Sequence, residues 1–364
     1  MTRWFLPLIP AVVSVTLALA APLEESDWTR GDVDLSSVGP ITFGPDGVLF
    51  VSDPEGAAIY AIDTGDRKSP EDRPNLDIEE LDEILAIVLG TSAELVNIVD
   101  LAVNPASGNA YLSVIRGRGD TARPALIRIS GPEKFEVLDL KGVRYQRADL
   151  ANAPEAGGEG RRNRRAQSIT DLAFLGDQLF VAGLSNEEFA SKLRTMEFPF
   201  GSGDRGASVE IYHASHGEWE TRSPVRTFLP MDLGGDPYLI CGYTCTPLVT
   251  FPIADLLPGE KLVGTTVAEL GAGNTPLDMI SYERDGVRYI LVANSRRGVM
   301  KVSTQGIDSM AGLTERVSGP TGLEYETIED LDGVTQMDVL GDDRVLLLIQ
   351  VRGEPARLRA IDLP

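Results

Sequence analysis

The sequence predicts an all-β fold, a six-bladed β-propeller with short helical insertions on one face, and three observations predict it. The first is a two-strand unit. Residues 168–186, SITDLAFLGDQLFVAGLSN, hold an apolar run with one carboxylate near its start, a turn at Gly176-Asp177 and a second apolar run. That is the pattern of two half-buried strands joined by a tight acidic turn. The second is recurrence: GPITFGPDGVLFVSD from Gly39, NIVDLAVNPASGNAYLSV from Asn97, PLDMISYERDGVRYILVAN from Pro276, VTQMDVLGDDRVLLLIQ from Val334, and a degenerate copy, PVRTFLPMDLGGDPYLICGYTC, from Pro224. Six copies at intervals of about 50 to 70 residues indicate a radial repeat, because one small sheet cannot bury both of its faces without neighbours. The third is size. The 364 residues, 43% of them hydrophobic, fit one continuous ring.

Residues 1–21 read as a cleaved signal peptide, with Arg3 in a short n-region, an apolar stretch over 4–19 and Ala18-Leu19-Ala20 as a small-residue cleavage motif. No other segment approaches the length of a membrane span. The mature chain, 22–364, is then a single propeller domain in a secreted or periplasmic compartment, with no stable membrane span. Residues 28–37 alternate apolar and polar positions and are expected to supply the outer strand of the last blade, closing the ring. Blade one continues through 58–63 into a charged loop over 67–75. A helical pattern over 78–89 follows, with Ile78, Leu81, Ile84, Leu85 and Val88 on one face and Gly90 as its stop. Blade two has outer strands at 125–130 and 135–140. The stretch 144–167 reads as a loop holding the basic cluster Arg161, Arg162, Arg164 and Arg165. Blade three is followed by an insertion over 187–207, read as a short helix at 186–194 and a glycine-containing loop. In blade four the register is open, since 225–229 suits an inner strand or its predecessor's outer strand.

The formal charge of −22 becomes −23 without the leader, from 32 basic and 55 acidic residues. That balance excludes nucleic acid and anionic membrane surfaces as natural partners, since phosphate binding needs Lys and Arg to release counterions. The two cysteines, Cys241 and Cys245 in CGYTC, would lie roughly 13 Å apart on one straight strand. A disulfide there requires a bend at 242–244, and two semi-buried thiols are the alternative.

Ring closure brings scattered residues together. In a blade the start of the first strand and the end of the second share one face of the disc. This places Asp100, Asp171 and Asp278 at equivalent positions at one channel mouth, with Gln336 in the same slot of the last copy and Pro40 in the first. Asp53, Asn186, Thr244 or Cys245, Asn294, Asn97 and Asn274 join them, and Arg116, Arg296 and Arg297 stand near enough to offset the charge. Clustered carboxylates need a cation or raised pKa values. Oxygen donors from several blades suit Ca²⁺, while capping of backbone N–H groups between blades is the structural alternative. The two histidines, His213 and His216 in HASH, invite a transition-metal reading, but without a third ligand in sequence they read as a surface turn on the opposite, outer rim. No G-x-S-x-G, H-E-x-x-H, Walker or haem-attachment motif is present.

Residues 41–63 (ITFGPDGVLFVSDPEGAAIYAID) and 289–302 (YILVANSRRGVMKV) resemble the second and third strands of blades in the group of propellers that includes NHL repeats, SMP-30/gluconolactonase-like proteins and paraoxonase-like lactonases. The resemblance implies a six-bladed ring and, in the lactonase branches, a Ca²⁺ held in the channel. Asp171, Asn186, Asp278 and Asn294 would correspond to its ligands, and Gly39-Pro40 stands where the group has a channel Glu. Two functions follow as expectations. One is an exported propeller binding a small ligand or a protein partner on the decorated channel face, through Asp100, Asn186, Asn274, Asn294, Arg116, Arg296 and Gln336. The other is a Ca²⁺-dependent lactonase or esterase in which Asp171 or Asp278 assists proton transfer.

Overall fold

A computed structural model describes residues 24–68, 74–157, 163–201 and 205–364. The leader and two members of the basic cluster, Arg161 and Arg162, lie outside them. Among the described residues no helix is long and apolar enough to cross a membrane.

Six sheets form a closed ring, as expected. Blade one comprises Ile41–Phe43, Val48–Asp53 and Ala58–Asp63; blade two Val96–Val103, Ala110–Arg116, Arg123–Ile129 and Phe135–Val137. Blade three comprises Asp171–Leu175, Gln178–Leu184, Ser191–Glu197 and Arg205–His213, and blade four Thr227–Leu233, Asp236–Gly242, Pro247–Pro252 and Thr265–Glu269. Blade five comprises Pro276–Arg284, Val287–Asn294, Gly298–Ser303 and Tyr325–Ile328; blade six Val334–Val339, Arg344–Ile349 and Arg357–Asp362. The acidic turns work as the pattern requires. Asp285 and Gly286 both adopt positive φ, 53° and 76°, the geometry that lets a two-residue hairpin follow the strand twist.

The order of blades around the ring differs from their order in the chain. Inner strands of blades three, four, five and six pack in succession, but blade six then meets blade two, blade two meets blade one, and blade one meets blade three. The six apolar clusters between sheets repeat this order. In Val48–Asp53, Val48 and Phe50 face Leu172, Leu179 and Val181 of blade three, while Leu49 and Val51 face Ala102, Tyr111 and Leu126 of blade two. Side chains alternate across a strand, and with both faces covered the whole segment is buried. A strand covered on both sides reads as a continuous apolar run.

The structure corrects three expectations, the first two through this exchange of blades one and two. Residues 29–31 do not close the last blade; Thr29–Gly31 pairs with Val143–Asp149, which is itself the outer strand of blade one and not a loop. The open edge of blade six is covered instead by residues 76–89. Ile78 and Leu358 exchange backbone hydrogen bonds at 2.9 Å in each direction, the Leu81 amide donates to the Ala356 carbonyl, and Leu81–Leu89 forms the expected helix. Its buried side, Leu81, Leu85 and Leu89, packs with Ile98 and Leu112 of blade two and Leu346 and Leu348 of blade six. The helix is therefore a wedge at the ring's seam. The third correction is Ser191–Glu197, which is a strand despite its helix-forming composition. It pairs with neighbours on both sides and buries Leu193 and Met196, and tertiary pairing overrides local propensity. The blade-four register also resolves, with Thr227–Leu233 as the inner strand against Asp236–Gly242.

Candidate functional site

The first strands line the central channel, and the slot residues meet there. Following the ring, the slots read Asp100, Pro40, Asp171, Thr227, Asp278 and Gln336, so carboxylates alternate with uncharged residues. Each Asp caps the amide of the residue after it and accepts a second amide from the next blade. Asp171 takes the Leu172 and Phe228 amides at 2.8 Å each. Asp278 takes those of Met279 at 2.7 Å and Met337 at 2.6 Å. Asp100 takes the Ile41 amide at 2.7 Å, besides its own neighbour's. One layer deeper Asp338 repeats the device, joining Val339 in its own blade to Val103 of blade two at 2.7 and 2.6 Å. All four brackets run in the same sense around the ring.

Burial sets their protonation. It raises Asp100 and Asp278 well above the usual carboxylate range, and their mutual repulsion, with that of Asp171, adds to the effect. Burial lifts Asp171 to about 7 and Asp338 to about 6 against the amides that hold the charged form. The trio therefore holds its protons to higher pH than solvent-exposed carboxylates do.

These aspartates form a waist between two cavities. The lower one, about 330 Å³, is lined by the inner strands themselves. The upper one, about 520 Å³, opens at the expected mouth. Its wall includes Val99, Ile115, Ile169 and Leu277, and its polar groups include Glu55, Asn97, Gln336 and Arg226. Arg226 stands one residue before the Thr227 slot. Burial lowers its pKa, and among the described residues its side chain has no carboxylate or hydrogen-bond partner. Sequence reading passed over it; an arginine interrupting the apolar entry of an inner strand, in PVRTF, was the available signal.

The other expected residues are placed elsewhere. Asn186 is exposed and outside the cavity. Asn294 is buried, donating to the Val292 and Gly298 carbonyls and accepting from Asn274, whose own oxygen accepts the Arg296 amide. Arg116 is exposed and donates to the Leu89 carbonyl, and Arg296 is exposed on the rim. Asp53 accepts the Ser36, Ser37 and Gly56 amides as a turn cap. Asp171, Asn186, Asp278 and Asn294 thus do not converge. The carboxylates of the trio are each occupied by two amides and are not among the groups whose ligand atoms lie within 4.8 Å of one another. This donor set does not fit a calcium site.

Of the two alternatives for the cysteines the structure shows free thiols, Cys241 fully buried in the core between blades three and four and Cys245 half-buried. One expectation near blade four changes. His213 ends a fourth strand, not a third, so it lies on the same face as the mouth, and it is only 2% exposed.

No family model matches the sequence, and no curated protein matches it. Solved structures similar in fold include a PQQ-bound aldose sugar dehydrogenase from Streptomyces coelicolor, 12% identical over 92% of this chain and 96% of that one, with a TM-score of 0.36. Another is a putative oxidoreductase (glucose dehydrogenase) from Thermus thermophilus, 13% identical over 92% of this chain and 100% of that one, at 0.37. At such scores no residue role transfers, and the ring rests on the strand pairing described above.

Proposed function

We propose that this chain is an exported binding propeller that takes a small organic anion in the upper channel cavity, with Arg226 as its charge partner. The observation that carries the reading is a half-buried guanidinium at the cavity wall with no carboxylate or hydrogen-bond partner among the described residues. A partly desolvated cation gains most from a charge-assisted hydrogen bond, and an anionic ligand in the cavity would supply it. The cavity volume of about 520 Å³ lies within the range of roughly 300–1,000 Å³ typical of small-molecule sites. The apolar wall of Val99, Ile115, Ile169 and Leu277 suits a hydrocarbon body, while Asn97 and Gln336 offer hydrogen bonds to its polar edge. A recessed site of this shape favours a small molecule over a protein surface. The resemblance to the NHL and SMP-30 group stays at the level of the blade pattern, and the amide-bracketed aspartates give the hydrolase reading no support.

The test compares a panel of organic carboxylates with their methyl esters by thermal shift and titration calorimetry, on the wild type and on Arg226→Gln. Acids should bind in preference to esters, and the substitution should weaken them by about 1.5–3 kcal/mol, roughly 10- to 100-fold in Kd. Equal binding of acids and esters, or an unchanged Kd in Arg226→Gln, overturns the proposal.

A further inference from the structure

The rim between blades three and four holds a second cluster. His213 ends the outer strand Arg205–His213 of blade three, His216 follows in the turn, and Cys245 lies just beyond the second strand of blade four. One ring nitrogen of each imidazole and the Cys245 sulfur lie within 4.8 Å of one another. The fold alone makes this triplet, since about thirty residues separate the thiol from the histidines in sequence.

We propose that His213, His216 and Cys245 form a three-ligand site for a zinc-type transition metal, with Glu220 as the carboxylate that orients both imidazoles.

Glu220 Oε1 lies 2.8 Å from His213 Nδ1 and 2.7 Å from His216 Nδ1, and the Ser223 hydroxyl donates to its other oxygen. An ionised carboxylate only accepts, so both Nδ1 atoms carry hydrogen and both Nε2 atoms present lone pairs. An imidazole that donates Nδ1–H to a carboxylate and offers Nε2 is the usual form of a metal-bound histidine.

The independent sign of a ligand is His213 Nε2. It is buried without a hydrogen-bond partner in a residue 2% exposed, and buried polar atoms are rarely left so. A cation bridging it to the thiolate satisfies it. Cys245 is held toward the site by its amide, which donates to the Asn274 carbonyl at 2.7 Å. The alternative triplet His216, Glu218 and Glu220 would have to detach Glu220 from the imidazoles. Two nitrogens and one thiolate suit zinc, and three protein ligands leave a fourth position for water or another small ligand. The His216 side chain is 44% exposed, which gives that position a route to solvent. Binding releases the thiol proton, so a neutral imidazole pair and a thiolate meet a divalent ion.

The experiment uses the full chain without a purification tag, stripped with chelator and titrated with Co²⁺ and then Zn²⁺. One Co²⁺ per chain should bind with a thiolate-to-cobalt charge-transfer band in the near ultraviolet, and Zn²⁺ should displace it. Cys245→Ser should abolish that band, and Glu220→Gln should weaken binding by about 10- to 100-fold. His216→Ala, at an exposed position, serves as the ligand variant least able to disturb folding, and it should also lose tight binding. Asp278→Asn should bind as the wild type does, which separates this site from the channel. No stoichiometric Co²⁺ binding by the wild type, or a spectrum unchanged in Cys245→Ser, overturns the proposal.

Discussion

Asp171→Asn gives the sharpest view of how the channel is held together. In the wild type the carboxyl accepts the Leu172 amide within blade three and the Phe228 amide of blade four. The amide side chain keeps the shape but replaces one acceptor by a donor, leaving one backbone N–H unmatched at a cost of about 1–3 kcal/mol. The substitution also removes a titration. With a folded pKa of about 7 against roughly 3.9 in the unfolded chain, the native state holds a proton that the unfolded state has released. This contribution to stability is complete below about pH 4 and is lost as pH rises to about 7, on the order of 4 kcal/mol in all and about 3 kcal/mol between pH 5 and pH 8. Asp171 also repels Asp100 and Asp278, so its neutralisation helps the variant further at high pH. Urea denaturation followed by tryptophan fluorescence at both pH values should show Asp171→Asn less stable than wild type at pH 5 and equal or more stable at pH 8. A difference that does not change with pH refutes the reasoning.

The seam of the ring makes two further predictions. Leu85, fully buried between blades two and six, should cost about 2–5 kcal/mol on truncation to Ala, measured by the same denaturation. Ile78→Pro, which removes the amide that bonds the Leu358 carbonyl, should destabilise comparably and expose residues 356–362 of the last blade to hydrogen exchange first, whereas Ile87→Ala on the exposed side of the helix should change neither.

Much of this was legible in the sequence, and the reason is local. Each inner hairpin carries its own apolar periodicity around a glycine-containing turn, so Asp100, Asp171 and Asp278 could be aligned in one slot without coordinates. What the residues could not reveal is which neighbour each blade meets. Both faces of Val48–Asp53 are apolar, so nothing in them distinguishes blade two from blade three as the partner on either side, and the exchanged order stayed hidden. Ser191–Glu197 was obscured by helix-forming residues whose strand state depends on pairing on both flanks. The calcium set failed for a different reason: matching positions along a repeat does not say whether an oxygen is free, and Asp171, Asp278 and Asn294 are engaged by their own backbone surroundings. The meeting of His213 with Cys245 depends on which face the His213 strand reaches, and that followed only from the strand count in blade three.

The ring order underlies the seam and the channel site described above, and a pair of spin-label distances tests it directly. The turn at Pro105 in blade two and the turn at Asp342 in blade six line one small cavity on the lower face, while Asp177 marks the corresponding turn of blade three. Labels on Pro105→Cys and Asp342→Cys, in a Cys241→Ala and Cys245→Ser background, should be closer to each other than labels on Pro105→Cys and Asp177→Cys, because blade one stands between blades two and three. If the second distance proves the shorter, the blades follow chain order and the seam, the alternating slots and the cavity wall as described here are wrong.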